Sequence, residues 1–258
     1  MKKHALVTGA SSGIGRAFAL QLAQKGYHVM LTARSGPNLK GLAEYIRSNY
    51  KAGANFLALD LSKVNAAAQI KQWCNELDVA PSILINNAGF GLWGDFPALD
   101  LEEQINMHRL NTEALIRLTH NMLPLLAENE RSYILNVSST AAYQAVPTLS
   151  VYAASKAFVL SFSRALRYEL KQTGISVSCL CPGPTDTGFA KRAGLDALAE
   201  LAEKFNMSAD DVAAAGLSGL FKGKAEIVPG VLNKISAAVV RHAPKKIIEH
   251  LAAGLYKQ

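Results

Sequence analysis

His4-Ala-Leu-Val-Thr8 and the segment that follows it, Gly9-Ala-Ser-Ser-Gly13-Ile-Gly15, have the order of a buried strand, a glycine-rich turn and the start of a helix. Glycine lets the backbone adopt positive φ and approach a ligand closely. The free N–H groups and the positive dipole end of the next helix, amphipathic from Ala17 to Gln24, favour a pyrophosphate. The segment predicts a nucleotide site on an α/β fold, although its Gly-x-x-x-Gly-x-Gly spacing differs from the commoner Gly-x-Gly-x-x-Gly.

Two further apolar runs end in small polar residues. Ile83-Leu-Ile-Asn86 leads into Asn87-Ala88-Gly89, and Tyr133-Ile-Leu-Asn-Val leads into Ser138-Ser139. Strands of a buried parallel sheet have this composition, and ligands bind at their carboxyl ends. Taken alone, each segment is equally typical of a simple strand-to-turn junction or of a helix cap.

The segment Tyr152-Ala-Ala-Ser-Lys156 places a phenol and an ammonium one turn apart on the same helix face. A fixed positive charge stabilises phenolate and so lowers the pKa of a tyrosine toward the range useful for proton transfer. The same spacing also occurs by chance in many surface helices.

In combination, these segments resemble the short-chain dehydrogenase/reductase family, in its single-domain group of roughly 250 residues. The resemblance rests on Thr8-Gly9-x-x-x-Gly13-x-Gly15, Asn86-Asn87-Ala88-Gly89, Ser139, Tyr152-x-x-x-Lys156 and Pro182-Gly183, which follow the family's order and spacing. It extends from the N-terminus to about residue 190 and implies an NADP(H)- or NAD(H)-dependent oxidoreductase that interconverts a carbonyl and an alcohol.

The resemblance assigns roles to four residues. Tyr152 is expected to be the general acid/base, and Ser139 to donate a hydrogen bond to the carbonyl oxygen of the substrate. Lys156 is expected to lower the pKa of Tyr152 and to bind the nicotinamide ribose. Asn111, a poor helix former inside a long helical pattern, is expected to hold a water that links Lys156 to solvent. Ser138 is expected to support the loop.

The residue at the end of the second predicted strand, His28–Ala33, bears on the choice of cofactor. NAD sites usually place an Asp or Glu there, whereas this chain has Arg34. A guanidinium suits a 2′-phosphate by charge and by its forked donors, so NADP(H) is predicted. Asp60 ends the third predicted strand, Asn55–Asp60, and resembles the family's acid beside the adenine ring. The other nucleotide-binding positions that the resemblance implies are Gly9, Ser11, Ser12, Gly13, Ile14, Gly15, Leu61, Asn87, Ala88, Gly89, Tyr152, Lys156, Pro182, Gly183, Thr185 and Thr187.

The composition is compatible with one α/β domain covering residues 1–258. Half of the residues are hydrophobic, and strands alternate with helices from residue 4 to residue 181. This alternation predicts a Rossmann-type, doubly wound parallel sheet with helices on both faces. The three cysteines have no disulfide or metal-ligand spacing, the six histidines show none either, and no metal is predicted. Without a secretory signal or a long apolar run, the chain is expected to be cytoplasmic and to lack a transmembrane segment.

The positive charge is concentrated at the C-terminus. Of the net charge of +7, residues 222–258 carry +5, from seven Lys or Arg against two Glu, so a nucleic-acid partner is not predicted. We expect residues 231–258 to form a basic helical extension that Pro244 breaks into two helices. Its amphipathic pattern suits either packing on the domain or on a partner subunit, or contact with an anionic membrane surface.

The extension also affects the expected assembly. Many family members end shortly after their last strand with a Gly-Gly used in tetramer packing, whereas twenty-eight residues follow Gly230 here. A tetramer is therefore not predicted. A homodimer through the long helices that carry Asn111 and Tyr152 is predicted instead.

The substrate is the least determined property. We expect a lid at about residues 183–222 and an apolar pocket for a medium or bulky ketone or aldehyde. The candidate lining residues are Phe90, Leu92, Trp93, Thr185, Thr187, Phe189, Leu195, Leu198, Leu201 and Phe205, although the same pattern is typical of amphipathic helix cores. Two alternatives are a lipid- or steroid-type ketone reductase docked on a membrane by its tail, and a non-catalytic NADP(H) sensor. The sensor is disfavoured because Ser139, Tyr152 and Lys156 are all present.

Overall fold

A computed structural model of the chain describes residues 3–187, 193 and 206–255. The strands of its main sheet are β1 (His4–Thr8), β2 (His28–Ala33), β3 (Ala54–Ala58), β4 (Ile83–Asn86), β5 (Ser132–Val137), β6 (Ile175–Leu180) and β9 (Glu226–Ile227). The helices between them are α1 (Gly13–Gln24), α2 (Gly36–Asn49), α3 (Ala66–Glu76), α4 (Leu101–His108), α5 (Ala114–Ala127) and α6 (Ser150–Glu169). After β6 come β7 (Thr185–Asp186), β8 (Met207–Ser208), α7 (Ala209–Phe221), α8 (Val231–His242) and α9 (Lys245–Leu255).

The main sheet has the order β3-β2-β1-β4-β5-β6-β9, and every neighbouring pair is parallel. The strand order reverses between β1 and β4, which opens a crevice at their carboxyl ends. The predicted doubly wound parallel sheet is therefore confirmed.

Helices cover both faces of the sheet because its strands are apolar on both sides. In β1, Ala5 and Val7 pack among residues of α1, α2 and α7, whereas Leu6 points to the opposite layer of α3 and α5. These three side chains are fully buried. Alternate residues of a strand face opposite sides, so a nearly continuous apolar run supports both layers.

A π-helical turn at Arg109–Glu113 separates α4 from α5. Such a turn has i→i+5 hydrogen bonds, occurs mostly as a single widened turn inside an α-helix, and is frequent at functional sites. Asn111 lies within it and is buried. The sequence indicated a poor helix former at this position, and the structure shows the local distortion that accommodates it.

Helix α7 falls within residues 183–222, the range predicted as the substrate lid, and the lid stays a prediction. Helix α7 lies in the core, where Val212, Leu217 and Leu220 are buried against α1 and the sheet. A Cβ atom on Gly216 would lie 3.0 Å from the ring of Phe18, which shows how closely α7 approaches α1. Helix α7 is therefore a structural layer of the fold.

The basic extension forms two helices, α8 and α9, on either side of Pro244, as its sequence predicted. Proline lacks the N–H donor that a continuous helix would need at this point. Among the helices of residues 3–187 and 206–255, none combines the length and apolarity that crossing a bilayer would require.

Candidate active site

The carboxyl ends of β1 and β4 are held together by Thr8. Its hydroxyl donates to the carbonyl of Ile85 at 3.2 Å and accepts from the backbone N–H groups of Asn87 and Ala88 at 2.9 and 3.0 Å. The side chain of Asn87 donates to the carbonyl of Thr8 at 3.0 Å. The glycine turn and the Asn87–Gly89 loop are thus fixed against each other at the crevice.

The glycine turn is a close-fitting cradle. Gly9 and Gly13 have φ of +64° and +52°, which side-chain-bearing residues rarely adopt. A Cβ atom on Gly9 would lie 2.8 Å from Nδ2 of Asn87, and one on Gly13 would lie 3.0 Å from Cγ2 of Thr187. Thr187 therefore packs over the turn.

The start of α1 adds hydrogen-bond donors to this cradle. Ser12 is the N-cap residue, and its side chain makes no capping hydrogen bond to the helix. Ser11 and Ile14 are half-buried beside it. Helix N-termini favour phosphate through their free N–H groups, so the turn fits a dinucleotide pyrophosphate by backbone shape and polarity.

Lys156 projects from α6 toward the carboxyl end of β5, next to the Asn87–Gly89 loop. Its ammonium donates to the carbonyl of Val137 at 3.1 Å and lies 5.7 Å from the ring centre of Tyr152. A Cβ atom on Gly89 would lie 3.4 Å from the same nitrogen. Burial lowers the pKa of Lys156 to about 8, against the opposing influence of Cys179 and Cys181.

Asn111 connects the Asn87–Gly89 loop with α6. Its Oδ1 atom accepts from the N–H of Phe90 at 3.1 Å, and its Nδ2 atom donates to the carbonyl of Phe90 and the hydroxyl of Ser155, each at 3.0 Å. Ser155 in turn donates to the backbone carbonyl of Tyr152 at 2.7 Å. The amide side chain thus orients the loop and the first turn of α6, which carries Tyr152.

The two adjacent serines have different environments. Ser138 is buried and donates to the backbone carbonyl of Lys156 at 2.7 Å. Ser139 is only partly buried, and its hydroxyl accepts from the N–H of Ala141 at 3.1 Å at the start of a short 3₁₀ turn, Thr140–Tyr143. This geometry leaves the Ser139 hydroxyl proton available to a ligand, whereas the Ser138 hydroxyl is committed to holding α6 on β5.

Arg34 and Asp60 stand at the carboxyl ends of β2 and β3. Arg34 is exposed directly after β2. Burial works to raise the pKa of Asp60, but hydrogen bonds from the N–H and hydroxyl of Ser62, together with the charges of Arg34 and Lys63, outweigh it and lower that pKa. Asp60 therefore remains ionised and can accept hydrogen bonds. The positive charge of Arg34 helps to stabilise its carboxylate.

The segment after β6 returns to the site. The N–H of Thr140 donates to the carbonyl of Pro182 at 2.9 Å, which ties the Pro182-Gly183 segment to the turn after Ser139. Thr185 donates to the carbonyl of Gly183 at 2.9 Å. Among the other predicted positions, Leu61 is buried after β3 and packs with Leu6 and Met30.

An apolar cluster adjoins Tyr152. Its buried members are Phe90, Met107, Val146, Leu149, Tyr152 and Ala153, and Leu92 and Trp93 pack against them. The N–H of Trp93 donates to the carbonyl of Ala193 at 2.9 Å. The other candidate lining residues, Phe189, Leu195, Leu198, Leu201 and Phe205, lie outside the described residues.

The sequence predicted no role for Thr8, Asn86 or Ser155, although Thr8 and Asn86 stand in the motifs that carry the resemblance. Thr8 positions the glycine turn, and Ser155 positions α6. Asn86 donates to Thr119 at 3.0 Å and to Asn136 at 2.8 Å in a buried network that joins β4 to α5 and β5. A signal existed for Ser155, because a serine three residues after Tyr152 on a helix can donate back to the carbonyl of that residue.

Comparisons with known proteins identify the family of this chain. A family model described as short chain dehydrogenase matches residues 3–198. Hydroxysteroid dehydrogenase-like protein 1 of Gallus gallus is 36% identical over 181 residues, which is 69% of this chain and 54% of that protein. Very-long-chain 3-oxoacyl-CoA reductase-A of Danio rerio is 34% identical over 186 residues, 70% of this chain and 57% of that protein. The chain thus spans little more than half the length of these relatives.

A solved structure extends the likeness to the whole fold. A short-chain dehydrogenase from Sphingobium yanoikuyae in complex with NADPH superposes with a TM-score of 0.81 at 30% identity. The match covers 94% of this chain and 96% of that one.

Proposed function

Because this chain belongs to the short-chain dehydrogenase family and is an oxidoreductase of that family, we propose that it uses NADP(H) to interconvert an apolar ketone or aldehyde and its alcohol. The observation that carries the proposal is the placement of Lys156. Its ammonium lies 5.7 Å from the ring centre of Tyr152 and donates to Val137, two residues before Ser139. The elements that bear all three predicted catalytic side chains therefore meet at the crevice.

When bound, NADPH would supply the hydride that reduces the carbonyl carbon. The residues proposed to hold it are the glycine turn, the Asn87–Gly89 loop, Lys156 and Thr187. As negative charge develops on the carbonyl oxygen, the hydroxyls of Ser139 and Tyr152 stabilise it by hydrogen bonding, and Tyr152 then gives up its proton. Lys156 favours the phenolate that remains.

We propose that the side-chain amide of Asn111 acts by orienting the loop after β4 and the first turn of α6, rather than by binding a water itself. Each of its amide protons and its Oδ1 atom already has a protein partner, in Phe90 and Ser155. A water that links Lys156 to solvent would therefore be held by another group of the widened turn. The role of Asn111 in the proton path stays a prediction.

NADP(H) is proposed over NAD(H) because of Arg34. No carboxylate stands at the end of β2, and Arg34 is exposed at the point where a 2′-phosphate would approach. The similar dehydrogenase from Sphingobium yanoikuyae binds NADPH, which is compatible with this choice.

An apolar substrate is proposed because the wall next to Tyr152 is built from Phe90, Val146 and Leu149. Such a wall disfavours a highly charged substrate by the cost of desolvating it. The two relatives are named for hydroxysteroids and for very-long-chain 3-oxoacyl-CoA, in which the steroid ring system and the very long acyl chain are apolar.

The test begins with a titration of the purified protein with NADPH and NADH. The oxidation of the cofactor that binds more tightly is then measured with each member of a panel of apolar ketones and aldehydes. We expect tighter binding of NADPH, turnover of at least one panel member, and loss of turnover by about 10³-fold in Tyr152→Phe without loss of NADPH binding. Tyr168→Phe is the matched control, since Tyr168 lies on the same helix and is 70% exposed. NADPH binding without turnover on any compound would favour the sensor instead.

We further propose that the chain forms a homodimer through α5 and α6. Ile116 on α5 and Phe158 on α6 are large apolar side chains that are 39% and 38% exposed. Phe158 also stacks on Phe162 at 5.9 Å between ring centres. Analytical ultracentrifugation tests this, and a monomer at micromolar concentration would contradict it. The cytoplasmic location stays a prediction.

A further inference from the structure

Helix α8 is attached to the domain along one face. Ala237 on that face is buried, and Nδ2 of Asn233 donates to the carbonyl of Pro229 at 2.9 Å. Arg241 pairs with the carboxylate of Glu226, and its guanidinium lies 4.6 Å from the ring centre of Tyr143. These contacts fix the rotation of α8 about its own axis.

The opposite face of α8 is apolar and exposed. Val231, Leu232, Ile235 and Val239 have exposed fractions of 70%, 66%, 56% and 55%, and we refer to these four residues as the tail stripe. At 100° per residue they fall within a single arc of about 100°, roughly opposite Ala237. A soluble surface helix usually exposes polar residues along such an arc, so this exposure needs a partner to explain it.

The surroundings of the tail stripe are positively charged. Lys234, Lys245 and Lys246 are exposed on α8 and at the start of α9. Residues 222–258 contain seven Lys or Arg against two Glu, and one of those two, Glu226, is already paired with Arg241. The surface therefore combines an apolar centre with a basic surround.

We propose that the tail stripe and its lysines dock this enzyme on the surface of an anionic lipid bilayer. A helix lying in the plane of a membrane buries its apolar face just below the headgroups, while Lys and Arg beside that face contact anionic lipid. In this orientation the face of α8 that carries Ala237 packs on the domain, and the tail stripe faces the bilayer. The proposal does not depend on which substrate the enzyme reduces.

A second copy of the chain fits this surface less well. In a two-fold symmetric contact each surface meets its own equivalent, so the lysines of one α8–α9 pair would approach those of the other. Like charges brought together in this way oppose association. Anionic lipid supplies both missing complements, an apolar layer and negative charge.

The experiment is co-sedimentation of the full chain with vesicles of phosphatidylcholine containing about 30 mol % phosphatidylserine, and with pure phosphatidylcholine vesicles. We expect binding to the anionic vesicles that falls as salt is raised, and much weaker binding to the neutral ones. The double variant Ile235→Gln, Val239→Gln should bind anionic vesicles about tenfold or more weakly. Glutamine is a better helix former than isoleucine or valine, so α8 should remain folded.

Matched controls separate the tail stripe from general effects. Ser236→Gln changes an exposed position of α8 outside the tail stripe and should bind as the unchanged protein does. The double variant Lys245→Gln, Lys246→Gln should weaken binding to anionic vesicles several-fold. The double variant Lys40→Gln, Lys51→Gln removes the same amount of charge outside α8 and α9 and should weaken that binding less. Turnover of a soluble ketone should be the same in all of these variants.

Three outcomes would overturn the proposal. One is that the full chain fails to bind anionic vesicles at low salt. Another is that the tail-stripe variant binds them as well as the unchanged protein. The third is that, without lipid, the tail-stripe variant has a smaller sedimenting mass than the unchanged protein, which would make α8 an interface between copies of the chain.

Discussion

The ammonium of Lys156 donates a hydrogen bond of 3.1 Å to the backbone carbonyl of Val137, at the end of strand β5. This bond holds the ammonium at the carboxyl end of β5, where it is buried away from water. The side chain is buried, and its pKa falls from 10.5 to about 8 as a result. The protein therefore keeps a titratable cation poised near neutral pH beside Tyr152.

The depressed pKa of Lys156 predicts a pH dependence of stability. Between about pH 8 and 10.5 the unfolded chain holds a proton at this side chain that the folded chain has released. The free energy of unfolding should therefore rise with pH in this window, by up to about 3 kcal/mol from this group. We expect the rise to be absent from Lys156→Met, measured by urea unfolding at each pH. If the difference in free energy of unfolding between the unchanged protein and Lys156→Met stays constant from about pH 7 to 10.5, the assignment is contradicted.

Ser138 and Ser139 should respond differently to alanine. Ser138→Ala removes the hydrogen bond to the carbonyl of Lys156 and should lower the free energy of unfolding by about 1–3 kcal/mol. Ser139→Ala should lower it by less than about 1 kcal/mol but reduce turnover about 10²-fold or more, because it removes a donor to the developing oxyanion. Urea unfolding and steady-state kinetics distinguish the two. A larger loss of turnover in Ser138→Ala at equal stability would reverse the assignment.

Arg34 should determine the preference for NADPH. Arg34→Gln is expected to weaken NADPH binding about tenfold to hundredfold, through loss of charge-assisted hydrogen bonds to the 2′-phosphate. NADH, which lacks that phosphate, should bind with nearly unchanged affinity. Cofactor fluorescence titration measures both, with Lys40→Gln on the neighbouring helix as the control. Equal weakening of the two cofactors would mean that Arg34 does not contact the phosphate.

Gly89 should tolerate no side chain. A Cβ atom there would lie 2.7 Å from Oδ1 of Asn111, so Gly89→Ala must displace Asn111 or the loop. We expect a loss of about 1–3 kcal/mol in the free energy of unfolding and a parallel loss of turnover. Gly41→Ala is the control, because nothing lies within 4 Å of its Cβ position in helix α2 and the change should stabilise by up to about 1 kcal/mol. Unchanged activity in Gly89→Ala would show that the loop adapts freely.

Glu226 should contribute to stability through its partly buried partner Tyr143. Its carboxylate accepts from the hydroxyl of Tyr143 at 2.7 Å and from Arg241. Glu226→Gln should therefore destabilise the protein by about 2 kcal/mol. Arg164→Gln should cost less than about 1 kcal/mol, because Arg164 lies 3.5 Å from the carboxylate and is 63% exposed. Thermal unfolding compares the two, and equal effects would contradict this ranking.

Much of the fold could be read from short-range pattern. β1 and β2 have the predicted bounds, His4–Thr8 and His28–Ala33, because apolar runs there end directly at a glycine turn or a charged residue. The third strand was predicted at Asn55–Asp60 and is observed at Ala54–Ala58. Its pairing ends opposite Ala33, where β2 itself ends, and only the partner strand determines that limit.

The other differences depend on contacts between distant residues. Helix α7 has an apolar, glycine-containing pattern that suits either a lid or a core layer. Its position against α1 follows from the fit of Gly216 to Phe18, which one segment alone does not reveal. Likewise, the π-helical turn at Arg109–Glu113 could not be predicted from local propensity, which indicated only that Asn111 is a poor helix former. The catalytic roles of Ser139, Tyr152 and Lys156 stay predictions until variants are assayed.

The strand order has a consequence for how the chain acquires its structure during synthesis. β2 pairs with β1, β3 with β2, β4 with the free side of β1, and then β5, β6 and β9 each with the strand before it in the sheet. Every strand thus finds an edge that earlier segments have already built. The sheet can grow outward as the chain leaves the ribosome, without waiting for a C-terminal strand to complete its centre.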